Sequence, residues 1–342
     1  MTEKNLADHL RSLRRETNQL THNPLLDAME IANIEKLEAA VADDFIAQKV
    51  KNIWGFVKDH KVDFNPQLKA AFDEYSEGLV YLLLKEKFRD ADRIPEGKKK
   101  TPDFVIPFDD DDNGTPIRYK VYVELKSLSF SDGNLNYKQV MNDAVDSQIS
   151  IEAQVGKGAK VAFGEFEISP LHKSGQKEKT ARKYEIETLI DKINQNIKPD
   201  QFTDENSILF IDLKQLHAGG DYRDFLPIFI EPQMDSLMSG LLWNVCFGKS
   251  GYPVFKQIEF EGKENLEGDL ERDGILQAHS FIRAVCILGY NLGAVKPTIT
   301  GLYRSRNVTD AVASFLHRFC DFVNDDVNSH GFMIDKKGRK ID

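Results

Sequence analysis

From Tyr119 to Ser129 apolar and polar residues alternate with period two. Val121, Val123 and Leu125 fall on one side and Tyr122, Glu124 and Lys126 on the other, which predicts a strand. Upstream, Phe104-Val105-Ile106-Pro107-Phe108 predicts a partner strand. Between them lie four aspartates, Asp109 to Asp112, and then Asn113-Gly114, a strong hairpin signal. The acidic tip is expected to point away from any polyanion.

Helical spacing dominates elsewhere. Leu6, Leu10 and Leu13 predict a helix within residues 5–20, broken at Asn23-Pro24. Ile34, Leu37, Val41, Phe45, Val50, Ile53, Trp54 and Val57 read as one long amphipathic stripe, to be buried against the core or a second subunit. After Asn65-Pro66, Phe72, Tyr75, Leu79, Leu83 and Phe88 mark the buried face of the next helix. Helices are also predicted over 137–155, with Val140, Ala144, Ile151 and Val155 on the apolar side, and over 184–197. Residues 160–168 alternate imperfectly, as a further strand would. The segment 207–216 opens on the apolar run Ile208-Leu209-Phe210-Ile211, the mark of a buried parallel strand. Residues 281–290 and 298–303 predict strands. A closing helix is predicted over 308–323, with Val312, Phe315, Leu316, Phe319 and Phe322 inward.

Composition narrows the function. The chain has 342 residues, 41% of them apolar, enough for a sizeable core and by length about two domains. It divides into a helical N-terminal element (1–62), a mixed α/β core (63–232) and an α/β extension with a basic tail (233–342), whose strands can extend the core sheet. A net charge of -10 argues against a protein that merely coats nucleic acid, although local basic segments can still hold phosphates. Cys246, Cys286 and Cys320 are far apart in sequence, lack metal-ligand spacing and have apolar neighbours. Buried free thiols in a reducing cytoplasm are expected. No apolar run approaches the ~20 residues needed to cross a bilayer. Nor does the polar start read as a secretion signal, so neither membrane nor export is expected. Gly248-Lys249-Ser250 looks like the end of a phosphate-binding loop, but Trp243 stands where its first glycine is required, and nucleotide binding is rejected there.

The hairpin carries the chemistry. Antiparallel pairing brings the start of the first strand near the far end of the second, so Asp103 approaches Glu124 and Lys126. Two carboxylates and the Leu125 carbonyl make a hard-oxygen set suited to Mg²⁺, with Mn²⁺ as a substitute. A lysine at its edge can orient or deprotonate a water, or neutralise charge on a phosphate. A second match, Pro199-Asp200 with Asp212-Leu213-Lys214, stays open as an alternative. So does the reading of Glu124 and Lys126 as an ion pair on a solvated sheet face.

Over roughly residues 66–216 the chain resembles the PD-(D/E)XK nuclease superfamily, through Pro102-Asp103 and Glu124-Leu125-Lys126. The resemblance implies a restriction-endonuclease-like α/β fold, a mixed sheet flanked by helices, here with the N-terminal helical element added. It implies Mg²⁺-dependent hydrolysis of DNA, as in prokaryotic restriction or phage defence, with Asp103, Glu124 and Lys126 at the centre. The family also tends to carry a glutamate on the helix before the first core strand, a role that Glu77 would take. Some members use a helix glutamine after the core lysine; Gln148 and Gln154 occupy that region without the usual Gln-x-x-x-Tyr form. Lys98, Lys99 and Lys100 lead into Pro102-Asp103 and can hold a phosphate backbone, as can Lys177, Lys179, Arg182 and Lys183 in the basic stretch 172–183. Either segment is also readable as solvated loop. RNA is not separable from DNA by these residues. The rival class is a catalytically inert protein of the same fold, a subunit that meets its partner or a second copy through the N-terminal helices.

Overall fold

The chain opens with α1 (Leu6–Glu16), α2 (Pro24–Ala28), α3 (Ile31–Ala39) and α4 (Asp44–Val57). The stripe expected as one helix is broken between α3 and α4. Asp43 caps α4, its carboxylate accepting from the Phe45 and Ile46 amides at 3.0 and 3.3 Å. A side chain that satisfies the first amides of a new helix favours a restart over continuation. Val41, counted on the stripe, is left 46% exposed in the intervening turn. The buried faces of α1–α4 pack into the same core as α5 (Asn65–Lys87), so this chain itself covers the stripe. The structure is a computed structural model that describes residues 5–16, 24–59, 65–95, 100–112, 115–128, 137–162, 182–216, 218–225, 229–231, 236–238, 240–256, 259–261, 266–291, 293–326, 333–335 and 340–341.

After α5 come β1 (Asp92–Arg93), β2 (Phe104–Asp112), β3 (Thr115–Ser127), α6 (Tyr137–Gly156), α7 (Arg182–Asn196) and β4 (Ser207–Asp212). Two small sheets follow, built from β5 (Phe229–Glu231), β6 (Ser236–Met238), β7 (Pro253–Phe255), β8 (Glu259–Glu261) and β9 (Leu266–Asp269), with α8 (Leu241–Phe247) among them. The chain then runs through α9 (Ile275–Ala278), β10 (Ala284–Gly289), β11 (Thr298–Tyr303), α10 (Asp310–Phe319), β12 (Phe322–Asp325), β13 (Met333–Asp335) and β14 (Lys340–Ile341). Among the described residues the main sheet has the order β1-β2-β3-β4-β10-β11-β12-β13-β14. It is mixed: β2 and β3 are antiparallel, β3, β4 and β10 parallel, and β10 and β11 antiparallel. Within the 233–342 segment β10 to β14 therefore continue the sheet that contains β3 and β4, whereas β6 to β9 belong to the two small sheets.

Helices cover both faces of the sheet. Ile208 and Phe210 of β4 join Val121 and Val123 of β3 in a core closed by α4, α5 and α10. Leu209 and Ile211 point the other way, into a core closed by α7, α8 and α9. This two-sided burial is what the apolar run at Ile208–Ile211 called for. Cys286 and Cys320, 34 positions apart, meet in the first core with their sulfurs 3.6 Å apart as buried free thiols.

Some expectations are corrected. The closing helix ends at Phe319, and Phe322 begins β12, so its side chain belongs to a strand. The segment after Asp212 leaves the strand for a 3-10 turn at Lys214–Leu216. Val155, expected on the apolar side of α6, is 57% exposed. The expected strand at 160–168 shows no strand over 160–162, and the rest of it lies outside the described residues. The Asp109–Asp112 run continues β2 and is tied to α10, with Ser314 bonded to Asp110 and Arg318 to the Asp109 carbonyl. Among the described residues no helix is long and apolar enough to cross a membrane.

Candidate active site

β2 and β3 pair with Phe104 opposite Val123, which sets Asp103 beside the segment 123–125. The Asp103 amide donates to the Val123 carbonyl at 2.9 Å, and the Leu125 amide donates to Asp103 Oδ2 at 2.7 Å. On the other edge of β3 the Tyr122 and Leu128 amides reach the Asn206 and Asp212 carbonyls. Backbone groups alternate between neighbours along a strand. The Leu125 N–H and C=O thus face the β2 edge, where β2 has ended and Asp103 sits.

Glu124 pairs in register with Leu209, so its side chain points to the α7 side of the sheet. It is only 1% exposed, which removes the solvated ion-pair reading. Glu124 Oε1 accepts from Lys126 Nζ and from Gln201 Nε2, whereas Oε2 is buried with no hydrogen-bond partner. Such an oxygen asks for a cation, a proton or a water. Burial, and then the charges of Glu124 and Glu77, push the Asp103 carboxyl up to about 7, against the pull of the Leu125 amide and Lys126. Glu124 is likewise raised by burial, against Lys126 and Gln201. Two buried carboxyls that resist ionising together are what a divalent cation between them would relieve. The acidic pair, the free Oε2 and the Leu125 carbonyl fit a hard cation by chemical type. Among the described residues no group of three or more His, Cys, Asp or Glu side chains is placed to hold a metal ion.

Glu77 lies on α5, close enough for its charge to act on Asp103. Its carboxylate is held by Lys49 of α4, which also pairs with Glu74 at 3.0 Å and is only 6% exposed. The N-terminal helices thus reach the rim of the site through one buried lysine. On the opposite rim, Lys198 sits against Lys100 and near Lys126, and these two ammonium groups hold it below its ordinary lysine range.

The rival match does not assemble. Asp212 lies on the α5 side of the sheet, buried, bonded to Ser76 and to the Lys214 amide. Lys214 is buried too, its Nζ 3.1 Å from Glu30 and 2.6 Å from the Ala294 carbonyl. Asp200 is exposed in the 3-10 turn at Pro199–Gln201, on the Glu124 side. What that turn delivers to Glu124 is Gln201, which sequence reasoning missed along with Lys198 and Lys49. No local signal marks the three: Lys198 and Gln201 come from the turn before β4 and Lys49 from α4, all distant in sequence from Asp103 and Glu124. Gln148 is exposed on α6 and Gln154 bonds Ser150 at 3.4 Å, so the glutamine on Glu124 comes from neither.

Of the basic residues proposed to meet phosphate, Lys98, Lys99, Lys177 and Lys179 lie outside the described residues. Lys183 is paired with Glu271 at 2.6 Å and with Glu187 at 3.8 Å. Arg182 is depressed by burial and surrounded by the charges of Asp224, Glu185 and Glu267. Both cations are committed within the chain. Among the described residues, Lys100 alone of the expected set stands beside the site.

Compared with known proteins, the chain matches no family model, no curated protein and no solved structure.

Proposed function

We propose that the chain is a Mg²⁺-dependent nuclease of the PD-(D/E)XK kind that hydrolyses phosphodiester bonds of DNA. The observation that carries this reading is the state of Glu124: a buried carboxylate with one oxygen committed to Lys126 and Gln201, the other without a partner, and Asp103 alongside. Asp103, Glu124 and the Leu125 carbonyl are the residues that would hold the ion. When bound, Mg²⁺ supplies Lewis-acid polarisation of the scissile phosphate and a lower pKa for the attacking water. Lys126, aimed by its ion pair with Glu124, orients that water and stabilises the developing negative charge. The water oxygen, giving up a proton to solvent, bonds to phosphorus; the P–O bond to the sugar breaks, and the leaving oxygen takes a proton from solvent. Lys100 and Lys198 offer positive charge to the neighbouring phosphates.

The test is plasmid nicking in Mg²⁺, with a matched RNA substrate alongside. Lys126→Ala is expected to lower cleavage at least 100-fold, on the order of a lost acid–base contribution, with an unchanged melt. Asp212→Ala should keep the activity of each folded molecule. Full cleavage by Lys126→Ala, or cleavage that persists in excess EDTA, overturns the reading. A second reading, an inert subunit with this fold, draws on the net charge of -10. It expects no Mn²⁺ binding and no cleavage of either polymer.

A further inference from the structure

Resting on that reading of the site, we infer that Gln201 is a positioning residue of the cation site, fixing Glu124 so that one carboxylate oxygen is committed inside the protein and the other is free for the ion. Gln201 is 9% exposed. Its Nε2 donates to Glu124 Oε1, the same oxygen that Lys126 engages, and Glu124 Oε2 is left without a partner. Two donors on one oxygen stop the carboxylate from turning about its last bond, so Oε2 keeps one direction.

The amide is itself held firmly. The 3-10 turn is closed by the Gln201 amide on the Lys198 carbonyl and the Phe202 amide on the Pro199 carbonyl, both at 3.0 Å. Phe202 anchors the turn in the α7-side core against Phe281, their rings 5.7 Å apart. With Nε2 facing the carboxylate, the Gln201 amide oxygen turns away, and it too is buried without a partner. A side chain retained only for packing gains nothing from a buried carbonyl that lacks a donor, because an apolar group of equal size fills the space without that desolvation cost.

Mn²⁺ titrated into the full chain by calorimetry tests this without any turnover. The variant is Gln201→Met, which keeps the length of the side chain and removes its hydrogen bonds. Wild type should bind Mn²⁺, and the variant should bind about tenfold or more weakly, as for outer-shell partners of metal ligands. Its metal-free melting temperature should be equal or higher. If wild type binds and the variant binds equally well, Gln201 only packs, and this inference falls while the nuclease reading stands. If wild type binds no Mn²⁺, the reading of the site falls and takes the inference with it. Should Gln201→Met fail to fold, Gln201→Asn withdraws the same amide by one methylene and carries the same expectation: weaker Mn²⁺ binding supports the role, and unchanged binding overturns it.

Discussion

Asp103 shows how much one side chain's surroundings decide. In sequence it is an aspartate after a proline; in the fold it lies beside Glu124 and within reach of the charge of Glu77. Its carboxyl is raised from 3.8 to about 7, chiefly by burial. The folded protein therefore holds a proton that the unfolded chain releases across that window. Stability falls as pH rises wherever the native state binds more protons. The Asp103 contribution is thus present at acid pH and lost as pH climbs toward 7. Asp103→Asn removes this term and keeps an acceptor for the Leu125 amide. Thermal melts of the metal-free protein from pH 5 to 8 should show a shallower decline in the variant than in wild type. Mg²⁺ at pH 8 should raise the melting temperature of wild type only. Parallel profiles for the two proteins would contradict the assignment of the shift to Asp103.

At the scale of elements, the start of α4 is fixed by one cap. Asp43 starts α4 and also accepts from the Tyr81 hydroxyl at 3.0 Å, tying α4 to α5. That tie holds Lys49 against Glu74 and Glu77. Loss of an N-cap costs about 1 kcal/mol, and loss of the hydroxyl contact about another 1 kcal/mol. Asp43→Ala should lower the unfolding free energy by about 2 kcal/mol, by the sum of those two contributions, and leave Mn²⁺ binding in the folded state intact. Denaturant titration measures the first quantity and calorimetry the second. An unchanged denaturation midpoint would remove Asp43 as the reason the stripe breaks. The cap was legible in Asp43-Asp44-Phe45, but the unbroken apolar stripe across it favoured one long helix. What separates the two halves is the turn over 40–43, and the stripe alone does not register it.

For the whole molecule, the problem is how a chain of net charge -10 would hold a polyanion. Its average field repels DNA, so the proposed substrate would have to be held by local positive charge, and among the described residues the cluster at the rim of the site is Lys100, Lys126 and Lys198. Each phosphate neutralised on duplex DNA contributes about -0.9 to the slope of log K against log salt. Reversing charge at Lys100 and Lys198 together should flatten that slope by about 2 and weaken all sequences alike, because phosphate contacts carry no base information. Fluorescence anisotropy across a salt series, in Ca²⁺ to hold turnover, reads both effects. An unchanged slope would place the DNA path elsewhere. Arg182 and Lys183 are not expected to add to it, since Glu185, Asp224, Glu267, Glu187 and Glu271 already take up their charge.

The sequence by itself determined what is local: the β2–β3 hairpin, the buried face of α5, the helical and strand character of α7 and β10, the burial of β4, and the approach of Asp103 to Glu124. Period and turn chemistry act between residues close along the chain, and hairpin register carries them across the strand pair. Tertiary structure alone decided the remainder. It sent Asp212 to the opposite face of the sheet from Glu124, placed Lys49 on Glu77, paired Lys183 with Glu271, and brought Gln201 to Glu124 from 77 positions away. Those meetings depend on strand order and on which helix covers which face, and two-residue and 3.6-residue periods encode neither. The Glu124–Lys126 strand was therefore readable from its own pattern, whereas the side chain that holds Glu124 in place became visible only once β3, β4 and the turn before β4 were packed together.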